Sequence, residues 1–161
     1  MLFSKATGYG IRAMVYLAGQ PGNQPCGLKE IAEQEKIPPV FLRKVLGELC
    51  HRRLLLSVKG IHGGYMLGRP PEAITVWDVI RSLEAGQDFD SCILGCGVCN
   101  PEHPCVLHSD WQRLREELMI SWQVKTISEL ASLQSEVPPR PTSEQARRTT
   151  DGERQEVTSR P

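Results

Sequence analysis

A chain of 161 residues with 19 basic and 19 acidic side chains allows one domain of ordinary size, or a small domain with an appendage. No stretch approaches the roughly 20 apolar residues a membrane span needs. The N-terminus has no apolar run with a signal cleavage site, so the expected location is the cytoplasm.

The zero net charge hides an uneven distribution. Residues 1–83 carry 11 Lys/Arg against 6 Asp/Glu, residues 84–136 carry 3 against 9, and residues 137–161 carry 5 against 4. A basic first half beside an acidic second half predicts a polyanionic partner for the first half alone. Within residues 36–69 the bias sharpens to seven Lys/Arg and one acid, Glu48.

Residues 3–19 predict a helix: Tyr9, Ala13 and Tyr16/Leu17 recur at helical spacing, and Gly19 with Pro21 ends the run. Gly22–Gly27 is turn-rich. Leu28–Gln34 predicts a short amphipathic helix with Leu28, Ile31 and Ala32 inward, and Glu35–Pro38 a tight connection. Pro39–Arg53 has the clearest period. Leu42, Val45, Leu46 and Leu49 form one apolar stripe, while Val40, Lys44, Gly47 and His51 occupy the opposite face with Arg43 at its edge. A short helix, a tight turn and a basic second helix make a helix-turn-helix. Leu54–Val58 and Tyr65–Leu67 read as paired strands around K-G-I-H-G-G, whose Gly60, Gly63 and Gly64 are expected to supply positive backbone angles. A hairpin directly after a helix-turn-helix is a wing.

Thr75–Glu84 predicts another helix, with Thr75 and Asp78 spaced as a capping box. Asp88–His108 is a cysteine-rich loop. Ser109 is expected to cap a long helix, with Gln112 in the capping-box position and Trp111, Leu114, Leu118 and Trp122 as its apolar face. Thr126–Leu133 predicts a shorter helix. The C-terminal end is rich in Pro, Ser, Thr, Arg, Glu and Gln with no aromatic residue, a composition expected to be disordered. The expected fold class is mainly α with a small β-hairpin. It comprises a winged helix-turn-helix (1–86), a cysteine loop (87–108), a long dimerisation helix (109–134) and a disordered tail (135–161).

A recognition helix presents outward side chains to base edges and phosphates in the major groove. Val40, Arg43, Lys44, Gly47 and His51 stand where that helix would read DNA, and Lys59 and His62 sit on the glycine-rich wing tip. A solvated basic helix beside an ordinary hairpin is the plainer alternative; the combination with the charge bias favours a DNA duplex. The G-I-H-G-G run lacks the spaced Gly-Lys-Ser/Thr of a nucleotide loop.

Four of the six cysteines, Cys92, Cys96, Cys99 and Cys105, fall within fourteen residues, with His108 three further on. In the cytoplasm such clustering points to metal or redox chemistry, with one disulfide among them a minor alternative. Soft thiolates favour zinc, copper(I) or iron–sulfur clusters. Cys96-x2-Cys99 is one zinc-type knuckle without a clean second, while the longer gaps suit a loop around a cluster. On spacing alone zinc and a cluster are equally compatible, and a redox-switch thiol pair is a third reading. Cys26 and Cys50 read as small buried hydrophobes, and His103 as a surface residue of the loop. No catalytic arrangement or small-molecule substrate signature is present in the sequence, so an enzyme is not expected.

The runs T-G-Y-G-I-R-A-M-V-Y-L-A, L-K-E-I-A, I-P-P-V-F-L-R-K-V-L, S-V-K-G-I-H-G-G-Y-M-L-G and I-T-V-W-D-V-I, in this order, resemble the Rrf-type winged-helix transcriptional regulators. The resemblance covers residues 1 to about 133 and is closest to the iron–sulfur-binding branch, the IscR and NsrR types. It implies a cytoplasmic homodimer that binds a palindrome-like duplex operator under control of an iron–sulfur cluster. It also implies ligation by Cys92, Cys99 and Cys105. The IscR type adds a histidine three residues after the last cysteine, where His108 stands. The NsrR type takes an aspartate from the N-terminal helix, where this chain has Gly8. Cys96 departs from the common pattern and offers an alternative fourth ligand. Three cysteines and a histidine favour a 2Fe–2S cluster, and four cysteines a 4Fe–4S cluster. The alternatives are a structural zinc site in a constitutive DNA-binding protein, or a cluster carrier that does not bind DNA.

Overall fold

Ser4 caps the first helix. In the computed structural model, which describes residues 3–84, 92–94 and 97–134, its Oγ accepts from the Thr7 amide at 3.4 Å and caps α1 (Lys5–Ala18). The Gly19 amide returns to the Val15 and Tyr16 carbonyls and closes that helix. Ala13, Met14 and Leu17 form its buried stripe. Helix α2 (Leu28–Gln34) packs on α3 (Pro39–His51), and α3 packs against that stripe through Leu42, Leu46 and Leu49, each 0 % exposed. Full burial of such a side chain contributes about 1.5–3 kcal/mol.

Both helices of the helix-turn-helix end in the same way. Lys36 (φ 51°) and Arg53 (φ 58°) take the left-handed conformation. The next amides, of Ile37 and Leu54, reach back to the Ala32 and Leu49 carbonyls, each at 2.9 Å. This is the Schellman arrangement, with the accompanying apolar contact made by buried Ile37 and Leu54. Because Arg53 turns the chain, α3 stops at His51 rather than reaching Arg53 as its periodicity suggests.

Strands β1 (Leu55–Val58) and β2 (Gly64–Leu67) pair antiparallel, Leu55 opposite Leu67 and Val58 opposite Gly64. The wing glycines divide by role. Gly60 has φ 117°, but Gly63 and Gly64 do not take positive φ, contrary to the sequence expectation. They are required by close approach: a Cβ on Gly63 would overlap the Val58 carbonyl, and one on Gly64 the Cys26 carbonyl. The second crowding arises because Cys26 and Tyr65 exchange backbone hydrogen bonds of 2.9 and 2.8 Å along the outer edge of β2. Asn23 continues that edge, its amide donating to the Leu67 carbonyl (3.1 Å) while its Oδ1 accepts from the Leu67 amide (3.0 Å).

Helix α4 (Val76–Leu83) carries the expected capping box, Thr75 and Asp78 bonding each other's amides at 3.1 Å. Helix α5 (His108–Val124) starts one residue before the expected cap. The His108 amide already bonds the Cys105 carbonyl at 3.0 Å, so the chain has turned by then. Ser109 therefore lies inside the first turn, and Gln112 donates to Glu116 rather than closing a box. Helix α6 (Ile127–Gln134) folds back: the Ile127 and Val76 amides bond the Ile74 and Lys125 carbonyls, and Ile127 is fully buried in the core with α1. The expected tail, residues 135–161, lies outside the described residues, as do residues 85–91.

Candidate functional site

The exposed side of α3 is the first candidate surface. Val40, Phe41, Arg43, Lys44, Gly47 and His51 all face outward, Val40 at 70 % and Phe41 at 59 % exposure. Nothing lies within 4 Å of where a Gly47 side chain would stand, so the backbone there is open to close approach. The single acid of the stretch, Glu48, is held by Arg52 at 3.1 Å, which neutralises it on the helix itself. Beyond α3 the wing tip carries exposed Lys59 and His62, with Ile61 98 % exposed between Gly60 and His62. Helix and tip both present exposed cations with a few large apolar side chains beside them.

The cysteine loop is the second. An Asx turn at Asn100 accepts from the Glu102 amide (2.8 Å), and the His103 amide bonds the Asn100 carbonyl (3.2 Å), which leaves His103 exposed as expected. The Cys92 amide bonds the Gly97 carbonyl at 2.7 Å. At the base of the loop, Cys99 Sγ lies 3.2 Å from His108 Nδ1, the first residue of α5. Cys92, Cys99, Cys105 and His108 are all half-buried. The structure therefore brings Cys99 and His108 together; among the described residues no three potential ligands converge, and Cys96 lies outside them. The donor set fits a soft metal centre in chemistry: thiolates with an imidazole, partly shielded from water. Cys26 is buried and Cys50 half-buried, and burial pushes both thiols above their ordinary value, as for inert structural cysteines.

Helix α5 is the third feature. None of its residues is buried. Trp111, Leu118 and Trp122 are half-buried and Leu114 is exposed; the Trp122 ring meets Phe3 edge-on with centroids 4.9 Å apart. A long helix without a buried face is short of the packing that normally stabilises it.

The Rrf2 family, described as iron-dependent transcriptional regulators, matches residues 3–132. The chain belongs to the Rrf2 family. It is 31% identical to the HTH-type transcriptional regulator IscR of Yersinia pseudotuberculosis over 151 residues, covering 92% of this chain and 91% of that one. The structure of CymR, the global cysteine regulator of Bacillus subtilis, superposes with a TM-score of 0.70 at 31% identity, covering 81% of this chain and 96% of that one. IscR of T. potens superposes with a TM-score of 0.64 at 28% identity, covering 86% and 92%. Rrf2-family chains are DNA-binding regulators rather than enzymes, and this one has their mainly helical winged fold with its small hairpin. No helix among the described residues is long and apolar enough to cross a membrane.

Two ties in this Rrf2-family chain escape a reading of the sequence. Glu84, 4 % exposed at the end of α4, accepts from the Ser4 amide (2.8 Å), the Ser4 hydroxyl (2.6 Å) and the Thr7 hydroxyl. Burial alone would raise its pKa, but the hydrogen bonds from Ser4 and Thr7 outweigh that and hold the carboxyl below its ordinary value. The residue that leads into the cysteine loop is thereby fastened to the start of α1. Glu35, also buried, takes the Arg12 guanidinium at 2.9 Å and fixes the turn between α2 and α3 to α1. The only local signal for either is an acid directly beside an apolar helical run.

Proposed function

We propose that this Rrf2-family regulator acts as a homodimer on a twofold duplex operator, and that an iron–sulfur cluster held by Cys92, Cys99, Cys105 and His108 controls its affinity. The observation that supports the sensor reading most is the approach of Cys99 Sγ to His108 Nδ1 at 3.2 Å, where the loop joins α5. A thiol from the middle of the loop and the imidazole at its end already meet there, and three thiolates with one imidazole favour a 2Fe–2S over a 4Fe–4S cluster. Cys96 remains the alternative to His108. When bound, the cluster supplies a redox- and nitric-oxide-sensitive cross-link across the loop.

The chain's own residues do the rest. Lys44, Arg43, His51, Lys59 and His62 face the duplex together with Val40, Gly47 allows close approach, and cation–phosphate contacts make binding fall steeply with salt. Trp111, Leu114, Leu118 and Trp122 on α5 pair with the same face of a second copy, which sets two α3 helices about one duplex turn apart. His108 opens α5, so ligand loss loosens the base of the dimer helix. Glu84 carries the other end of the loop to α1, against which α3 packs. The coupling expected between cluster state and operator affinity is about 1–3 kcal/mol.

The test is anaerobic purification with iron and labile-sulfide counts on the wild type and His108→Ala, followed by duplex binding with and without cluster at matched salt. Brown protein with iron and sulfide, a lower count in His108→Ala and a cluster-dependent affinity are the expected results. Colourless protein containing zinc would replace this reading with a constitutive regulator built on a structural zinc. The Cys99–His108 separation also suits that reading, being within a few tenths of an ångström of the ~3.5 Å implied by ordinary zinc–ligand lengths.

A further inference from the structure

We infer that the first turn of α3 reads thymine, with Val40 and Phe41 packing on the 5-methyl groups of the operator's major-groove edge. This rests on the reading of α3 as the groove helix and adds the base it selects. Val40 and Phe41 are consecutive, large and mostly exposed, and they begin a helix whose stripe of Leu42, Val45, Leu46 and Leu49 already fills the core. They lie in the stretch that carries seven Lys/Arg against one acid, and that acid is paired with Arg52. The charge calls for a polyanion, so the occupant must combine dense negative charge with a small apolar group.

Duplex DNA does so in one way. The thymine methyl is the apolar group its major groove presents, alongside base donors and acceptors. N-terminal residues of a recognition helix are those that reach base edges. The chemistry is therefore divided along the helix: Val40 and Phe41 meet methyl groups, and Arg43 and Lys44 take acceptors or phosphates beside them.

The test uses the full chain to enrich duplexes from a random pool, then replaces each thymine of the enriched site by deoxyuridine, which removes the methyl and keeps pairing. One or two thymines per half-site are expected to lose about fourfold in affinity per methyl. Val40→Ala or Phe41→Ala should lose a similar factor on the thymine duplex and nothing further on the matching uracil duplex. Uracil that is neutral at every position, or losses that multiply independently in the variants, would overturn the thymine assignment while leaving duplex binding intact. A pool that yields no enriched, salt-sensitive duplex, or wild-type affinity retained by Lys44→Ala, overturns the groove-helix reading and the thymine assignment with it. Equal binding to anionic lipid vesicles with no base preference would assign the apolar pair to a membrane surface instead.

Discussion

The winged core and the cysteine arm are built on opposite terms. The core, α1 to α4 with α6, completes itself: Met14, Leu42, Leu46, Leu49 and Ile127 are wholly buried, and the buried acids Glu35 and Glu84 have their partners within the chain. The arm, the cysteine loop with α5, has a 17-residue helix with no buried residue and a loop in which Cys99 and His108 meet while no three potential ligands converge among the described residues. A region that is finished alone holds a surface rigid for recognition. A region that needs something else to finish it can respond to whether that something is present.

The sharpest way to break this division is to delete matched volume on both sides. Leu46→Ala in α3 removes a fully buried side chain and should cost about 2–5 kcal/mol of unfolding free energy in urea titration. Leu114→Ala in α5 removes an exposed one. It should change the unfolding of dilute protein by less than about 0.5 kcal/mol while weakening self-association measured by sedimentation. Equal costs at the two sites would mean that α5 belongs to the core after all.

Glu84 sits on the border between the two regions, so it sharpens the comparison next. Glu84→Ala leaves the Ser4 and Thr7 donors unpaired and should cost roughly 1.5–3 kcal/mol. Its carboxyl is held below its ordinary value in the fold, so the unfolded chain binds the proton more tightly. Its contribution is therefore complete above the unfolded value and is lost as pH falls through the folded one. The wild type should lose stability in that acid window, and Glu84→Gln should show a flatter acid limb in thermal melts at successive pH values. An acid limb unchanged in Glu84→Gln would place the carboxylate outside the balance of the fold.

What was legible in the sequence follows the same line. The stripe of α3, the inward residues of α2, the capping box of α4 and the hairpin strands depend on neighbours a few positions away, and periodicity reports them directly. Gly64 was visible as a wing glycine, but its reason was not, because the carbonyl it must clear belongs to Cys26 on another segment. Glu84 was silent because its partners stand 80 positions away in the chain. Ser109 looked like a cap because the local sequence suits one, yet the preceding loop turns at Cys105 and starts the helix early. In the candidate site, the pairing of Cys99 with His108 by geometry was hidden, since spacing leaves zinc and a cluster equally open.

The smallest expected effect concerns the turn that sets α3 against α2. Sequence reading expects glycine or asparagine at a left-handed helix terminus, yet Lys36 occupies that position at φ 51°. A side chain there meets the crowding that makes left-handed backbone unfavourable for L-residues, by about 1–2 kcal/mol. Lys36→Gly removes that crowding, and the greater freedom of glycine in the unfolded chain offsets part of the gain. The balance should be a stabilisation of about 0.5–1 kcal/mol, seen as a higher urea midpoint at unchanged slope. Arg53→Gly, at φ 58° after α3, should shift the midpoint in the same direction. Because both sites lie in the basic stretch, each gain should come with weaker, less salt-dependent duplex binding. Lysine and arginine would then stand at these termini for the charge they bring to the surface rather than for the turn they make. A lower midpoint in both variants would show instead that their side chains stabilise the turns directly.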